Sequence, residues 1–168
     1  MTDAPSKNEI LLARLAVALI IGLAALGVVW YGVSTEELER IWRNIVARPG
    51  GPMTFRFVLQ PAMAAVAALR DGVRDARLGR RPYLWALVGG VRGPERRSGR
   101  LWQGIVSTGR ILILGVVIDI AYQVIFLDMF YPGESAIVAV LLAFVPYALL
   151  RGPIGRIARH WVAGPASG

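Results

Sequence analysis

The chain has 168 residues, 55% hydrophobic and only 18% charged, against about 25% charged in soluble domains. It lacks Cys and has one His, His160. This excludes disulfides and thiolate sites, and leaves any histidine-based triad or metal cluster short of members. The formal net charge is +8, and 18 of the 19 basic residues are Arg. Mean hydropathy is +0.53, and the apolar residues gather in long runs, which points to a bilayer. We therefore expect a single membrane domain over 1–168, in which the positive charge reports topology and no nucleic-acid partner is needed.

Residues 1–14 are polar and mixed in charge. Residues 15–33 are apolar throughout, about the 20 residues that cross a hydrocarbon core. Trp30 and Tyr31 close this stretch, where aromatic rings favour the interface. No Ala-x-Ala site follows, so it reads as a retained anchor. Ser34 and Glu37 have capping-box spacing. Leu38, Ile41, Trp42 and Ile45 then form one apolar stripe, with charge opposite, so a short amphipathic helix lying in the interface is expected. Pro49-Gly50-Gly51-Pro52 ends it.

Residues 53–69 are long enough to span, but Arg56, Gln60 and Pro61 weigh against insertion. Arg56 lies near one end and can snorkel, and the Ala-rich remainder suits close helix packing. Residues 70–110 read as a basic cytoplasmic loop. Within it Asp71 and Arg74 have helical pairing distance, and 83–90 is too short to span and is expected at the interface. Two further spans follow at 111–131 and 135–150, separated by a Pro132-Gly133 turn. Pro146 is expected to kink the last one.

The tip of that final hairpin has no Lys or Arg, whereas both of its bases are Arg-rich. The positive-inside rule puts both bases, and hence the C-terminus, in the cytoplasm. The fold class is an all-α helical bundle of four transmembrane helices, or three if 53–69 stays at the surface. Four spans place 15 basic residues inside and 3 outside; three place 17 inside and 2 outside. With four, Arg56 and Asp128 come to the outer boundary together and form a candidate intramembrane ion pair.

Asp119 follows Arg110 by nine residues, about 13.5 Å along a helix, which puts it near the midplane. A carboxyl there is a candidate site by its cost alone. Tyr122 and Gln123 lie on its side of the helix as hydrogen-bonding neighbours. Arg96, Arg97, Arg100, Arg151, Arg156 and Arg159 form a candidate surface for anionic lipid or a partner. Gly22, Gly27 and Gly32 recur every five residues on the first span, and Ala18-x-x-x-Gly22 is a small-xxx-small pair. No nucleophile–base pair is visible, and neither a cofactor nor an enzymatic activity is expected.

The runs FRFVLQPAMAAVAALRDGVRDA (55–76) and FYPGESAIVAVLLAFVPYALLRGPIGRIARHW (130–161) cover about a third of the chain. They resemble a group of small multi-helix inner-membrane proteins of proteobacteria. That resemblance implies a bacterial inner-membrane location and adds no activity or site residue. The expected role is a structural or accessory membrane protein contacting anionic lipid, a membrane-protein partner or further copies of itself. The alternative is a small transporter or ion-conducting oligomer using Asp119.

Overall fold

The structure is a computed structural model that describes residues 5–47, 50, 54–88, 97–127 and 129–162. Among these there is no strand. Helix α1 is Lys7–Tyr31, α2 is Thr35–Ala47, α3 is Arg56–Arg77 and α4 is Tyr83–Val88. Helix α5, Arg97–Tyr122, runs on as a π-helical turn at Gln123–Leu127. Helix α6, Pro132–Ala139, passes through a π turn at Val140–Phe144 into α7, Val145–Val162. Three rods are long and apolar enough to cross a membrane: Lys7–Tyr31, Arg97–Phe126 and Pro132–Trp161.

The bundle has an apolar exterior, and polar groups stand among its buried, mostly apolar side chains. The exposed large side chains include Ile21, Val28, Val29, Val117, Val124, Ile125 and Leu149. Buried side chains include Arg56, Gln60, Asp75, Arg100, Asp119, Gln123, Glu134 and Arg151. Such an apolar exterior suits lipid, while interior polar groups must find partners within the protein.

Helix α1 begins earlier than the apolar stretch because Ser6 and Glu9 form a complete capping box. The Ser6 hydroxyl accepts from the Glu9 N–H at 3.2 Å, and the Glu9 carboxylate accepts from the Ser6 N–H at 2.8 Å. Of the box expected at Ser34, the structure has the Glu37 N–H bond to Ser34 Oγ, 3.1 Å, while the Glu37 carboxylate takes Arg40. Pro146 stands two residues beyond the π turn at 140–144. A proline lacks the N–H for its turn and its ring crowds the preceding carbonyls, and a widened turn relieves both.

Close helix approach rests on small residues. Gly27 of α1 meets Gly133 at the start of α6: a Cβ on Gly27 would lie 2.7 Å from the Gly133 nitrogen. Gly22, the glycine of the small-xxx-small pair, has open space around it. Helix α3 packs along α7 and against α5, burying the stripe Gln60, Ala64, Ala68, Gly72 and Asp75. The region expected to be a basic loop is therefore largely helical. It holds the end of α3, all of α4 and the first half of α5. Its aspartates turn inward against arginine partners, a pairing that a count of charges along the sequence does not register.

Candidate functional site

Two buried polar clusters occupy the interior. The first is centred on Asp119, which is fully buried. Its Oδ1 accepts from Arg56 Nη1 at 2.5 Å, and its Oδ2 accepts from Gln123 Nε2 at 2.7 Å. Arg56 Nη2 also reaches the Gly115 carbonyl at 3.4 Å. Gln123 opens the π turn and ties the hairpin together: its Nε2 reaches Ser135 Oγ at 3.0 Å, and its Oε1 accepts from the Tyr131 N–H at 2.6 Å. Gln60, one turn on from Arg56, donates to the Ile111 carbonyl at 3.4 Å.

The expected neighbourhood of Asp119 is thus present in part. Gln123 is bonded to it, whereas the ring of Tyr122 packs on Phe126, 5.6 Å between centroids. Among the described residues the acid against Arg56 is Asp119; Asp128 lies outside them. A guanidinium and a carboxylate in this geometry lower each other's cost of leaving water.

The second cluster is centred on Asp75. Arg100 donates to both of its oxygens at 2.9 Å, and Arg151 does so at 2.8 and 3.0 Å. Two bidentate guanidiniums on one carboxylate form a rigid clamp joining α3, α5 and α7. Asp71, one turn earlier, accepts from Ser107 Oγ and Tyr147 Oη, each at 2.5 Å. Tyr83 of α4 stacks edge-on against Tyr147 at 5.7 Å, with the Arg151 guanidinium 4.4 Å from its ring. Burial pushes the Tyr83 hydroxyl up to about 12, and it has no hydrogen-bond partner among the described residues.

The clamp corrects the expected arginine surface. Arg100 and Arg151 are only 2% and 4% exposed; they face Asp75 and not lipid. Arg159 is half-buried and donates to the Arg80 carbonyl at 2.7 Å. Arg97 and Arg156 are exposed as expected, and Arg96 lies outside the described residues. The available signal for the clamp was the i, i+4 spacing of Asp71 and Asp75, which puts two acids on one helix face.

A third contact closes the opposite end of the bundle. Glu134, buried in the first turn of α6, accepts from Arg40 at 2.6 Å and Asn44 at 2.9 Å of α2. The Arg40 guanidinium lies 3.9 Å from the Tyr131 ring centroid. Leu38, Trp42 and Val46 of α2 remain exposed. Among the described residues no group of three or more His, Cys, Asp or Glu could hold a metal ion. No protein-family model, curated protein or solved structure matches the chain, so the chemistry of the site is read from its own geometry.

Proposed function

We propose that the protein is a non-enzymatic accessory component of a bacterial inner membrane, with its Arg-rich cytoplasmic end contacting anionic lipid or a membrane partner. The observation that carries this reading is how the arginines divide. Arg100 and Arg151 are consumed inside by Asp75. Arg70, Arg77, Arg97, Arg110 and Arg156 stay exposed around the same end of the bundle. Each such charge near an anionic surface contributes about 1 kcal/mol. A carrier using Asp119 has less support, because Arg56 already compensates that charge. A pH-dependent flux in proteoliposomes that Asp119→Asn abolishes would favour the carrier.

The proposed topology has four spans, with α3 as the second and both termini cytoplasmic. Bonds from Arg56 to Asp119 and from Asp71 to Ser107 keep α3 beside α5 over twelve residues of α5, about 18 Å. Helix α2 then lies in the outer interface, held by Glu134. A reporter fused after Val46 should give an external signal; an internal one refutes four spans. For the lipid contact, purified protein should retain anionic over zwitterionic lipid in mild detergent. Indifference to lipid charge, with no partner co-purifying, would sink the proposal.

A further inference from the structure

A cleft of about 780 Å³ lies between the amino-terminal part of α1 and the second half of α3, floored by α5. That volume is within the roughly 300–1,000 Å³ of small-ligand sites. Its lining changes character along its length. Leu12 of α1, Met63 and Val66 of α3 and Ile111 of α5 make an apolar part. Further along α3 and α5 the lining includes Arg70 and Arg110. The Asp71–Ser107 bond fixes the level at which these arginines meet. Arg70 precedes Asp71 by one residue and Arg110 follows Ser107 by three, in antiparallel helices. The two positions therefore lie within about one 5.4 Å turn along the bundle axis.

Five arginines and two carboxylates line the cleft, and with Arg151 spent on Asp75 the charge at this point is still positive on balance. Glu9 faces Arg110 but is engaged in the α1 capping box. Asp71 is engaged by Ser107 and Tyr147. Arg70 and Arg110 are exposed, and neither is hydrogen-bonded to another described residue. Guanidinium forks at a single level match the oxygens of a phosphodiester. The apolar part opens outward, with Val66 52% exposed. A free phosphate would leave this part empty, whereas an acyl chain would cover it.

We infer that this cleft is a discrete binding site for one anionic phospholipid of the inner leaflet, its phosphate between Arg70 and Arg110 and an acyl chain along Met63, Val66 and Ile111. Basic recesses between membrane helices on the cytoplasmic side suit such headgroups. The inference rests on the proposed lipid contact and adds a single location to it.

The test uses the full chain, delipidated in nonionic detergent and titrated with phosphatidylglycerol, phosphatidylcholine or inorganic phosphate, with bound ligand counted by native mass spectrometry. One phosphatidylglycerol per chain should bind, with the other two probes about tenfold weaker or more. Arg70→Gln with Arg110→Gln should weaken phosphatidylglycerol about thirty-fold, as expected for two lost surface charges. Lys7→Gln with Arg14→Gln removes equal charge from the same end, outside the cleft lining, and should change affinity less than about threefold. Val66→Trp should weaken binding at unchanged charge. Equal losses in the two double variants overturn the cleft and leave the general lipid surface standing. Tight inorganic phosphate binding that Val66→Trp spares overturns the lipid as ligand. If wild type binds phosphatidylglycerol no better than phosphatidylcholine, both the cleft and the lipid surface fail.

Discussion

Replacing Asp119 by Asn asks whether the Arg56 pair holds the bundle together or merely decorates it. Arg56 is 2% exposed and Asp119 0%, and the two meet at 2.5 Å. Asn keeps an acceptor for Gln123 but removes the carboxylate charge that Arg56 meets at 2.5 Å. On the proposed four-span topology an arginine within a membrane helix costs about 2.5–3.5 kcal/mol on the insertion scale, and breaking a buried pair costs about 3–5 kcal/mol. The two scales overlap near 3 kcal/mol. Were the contact only a polar one between helices, the loss would be about 0.6 kcal/mol, so the alternatives are well separated. Arg56→Met combined with Asp119→Leu removes both charges and should return stability to within about 1 kcal/mol of wild type. Gln123 keeps Ser135 and the Tyr131 carbonyl as acceptors in that variant. The assay is reversible unfolding in mixed micelles, read as a double-mutant cycle. A loss below about 1 kcal/mol for Asp119→Asn, or a double variant that simply adds the single losses, refutes the reasoning.

Three further outcomes are expected. Gly27→Ala should cost about 1–3 kcal/mol, because its Cβ would press on the Gly133 backbone, whereas Gly22→Ala, with open space around it, should be neutral or slightly stabilising; unfolding of the two variants side by side checks this. Asp75 accepts bidentate hydrogen bonds from both Arg100 and Arg151. Asp75→Asn should therefore cost about 3–5 kcal/mol, measured as unfolding free energy in both proteins. Tyr83→Phe removes an unpartnered buried hydroxyl but keeps the ring against Tyr147 and Arg151. Its stability should match wild type or exceed it by about 1 kcal/mol, and a comparable loss would mean that the hydroxyl has a partner.

The helical class and the three rods apolar enough to cross a membrane are legible in residues 15–33, 111–131 and 135–150, because long apolar runs have few other uses. Asp119 and Gln123 were legible as a polar face from helical spacing. What sequence reading missed lies in α3 and the first half of α5. Hydropathy averages every side chain in a window, so Arg70, Asp71, Arg74, Asp75 and Arg77 together read as a solvated segment. Sorted by face, the same stretch has a buried stripe of Gln60, Ala64, Ala68, Gly72 and Asp75, while Arg70, Arg74 and Arg77 are exposed. The same averaging started the second apolar span at 111, although Arg100, Gly104 and Thr108 are already buried. Which arginine meets which acid depends on how helices associate, and that is not a property of any window.

The pairings follow one rule that becomes visible once α3 is set against α5. Helix α3 carries Arg56 near its start and Asp75 near its end; α5 carries Arg100 near its start and Asp119 further on. In each helix the paired charges stand nineteen residues apart. Run antiparallel, the helices join both pairs at once, Arg56 with Asp119 and Asp75 with Arg100. A slip of one turn, about 5.4 Å, would break both pairs and strand four charges in the interior. Apolar faces in lipid do not supply this discrimination, because one stretch of Ala, Leu and Val packs about as well as the next and lipid tails compete on equal terms. A polar residue at an otherwise apolar interface is the best-attested means of fixing register. On this argument the buried charges of α3 act first as a positional code. Arg151 reinforces one end of it from α7, so that Asp75 accepts hydrogen bonds from two arginines while Asp119 accepts from Arg56 and Gln123.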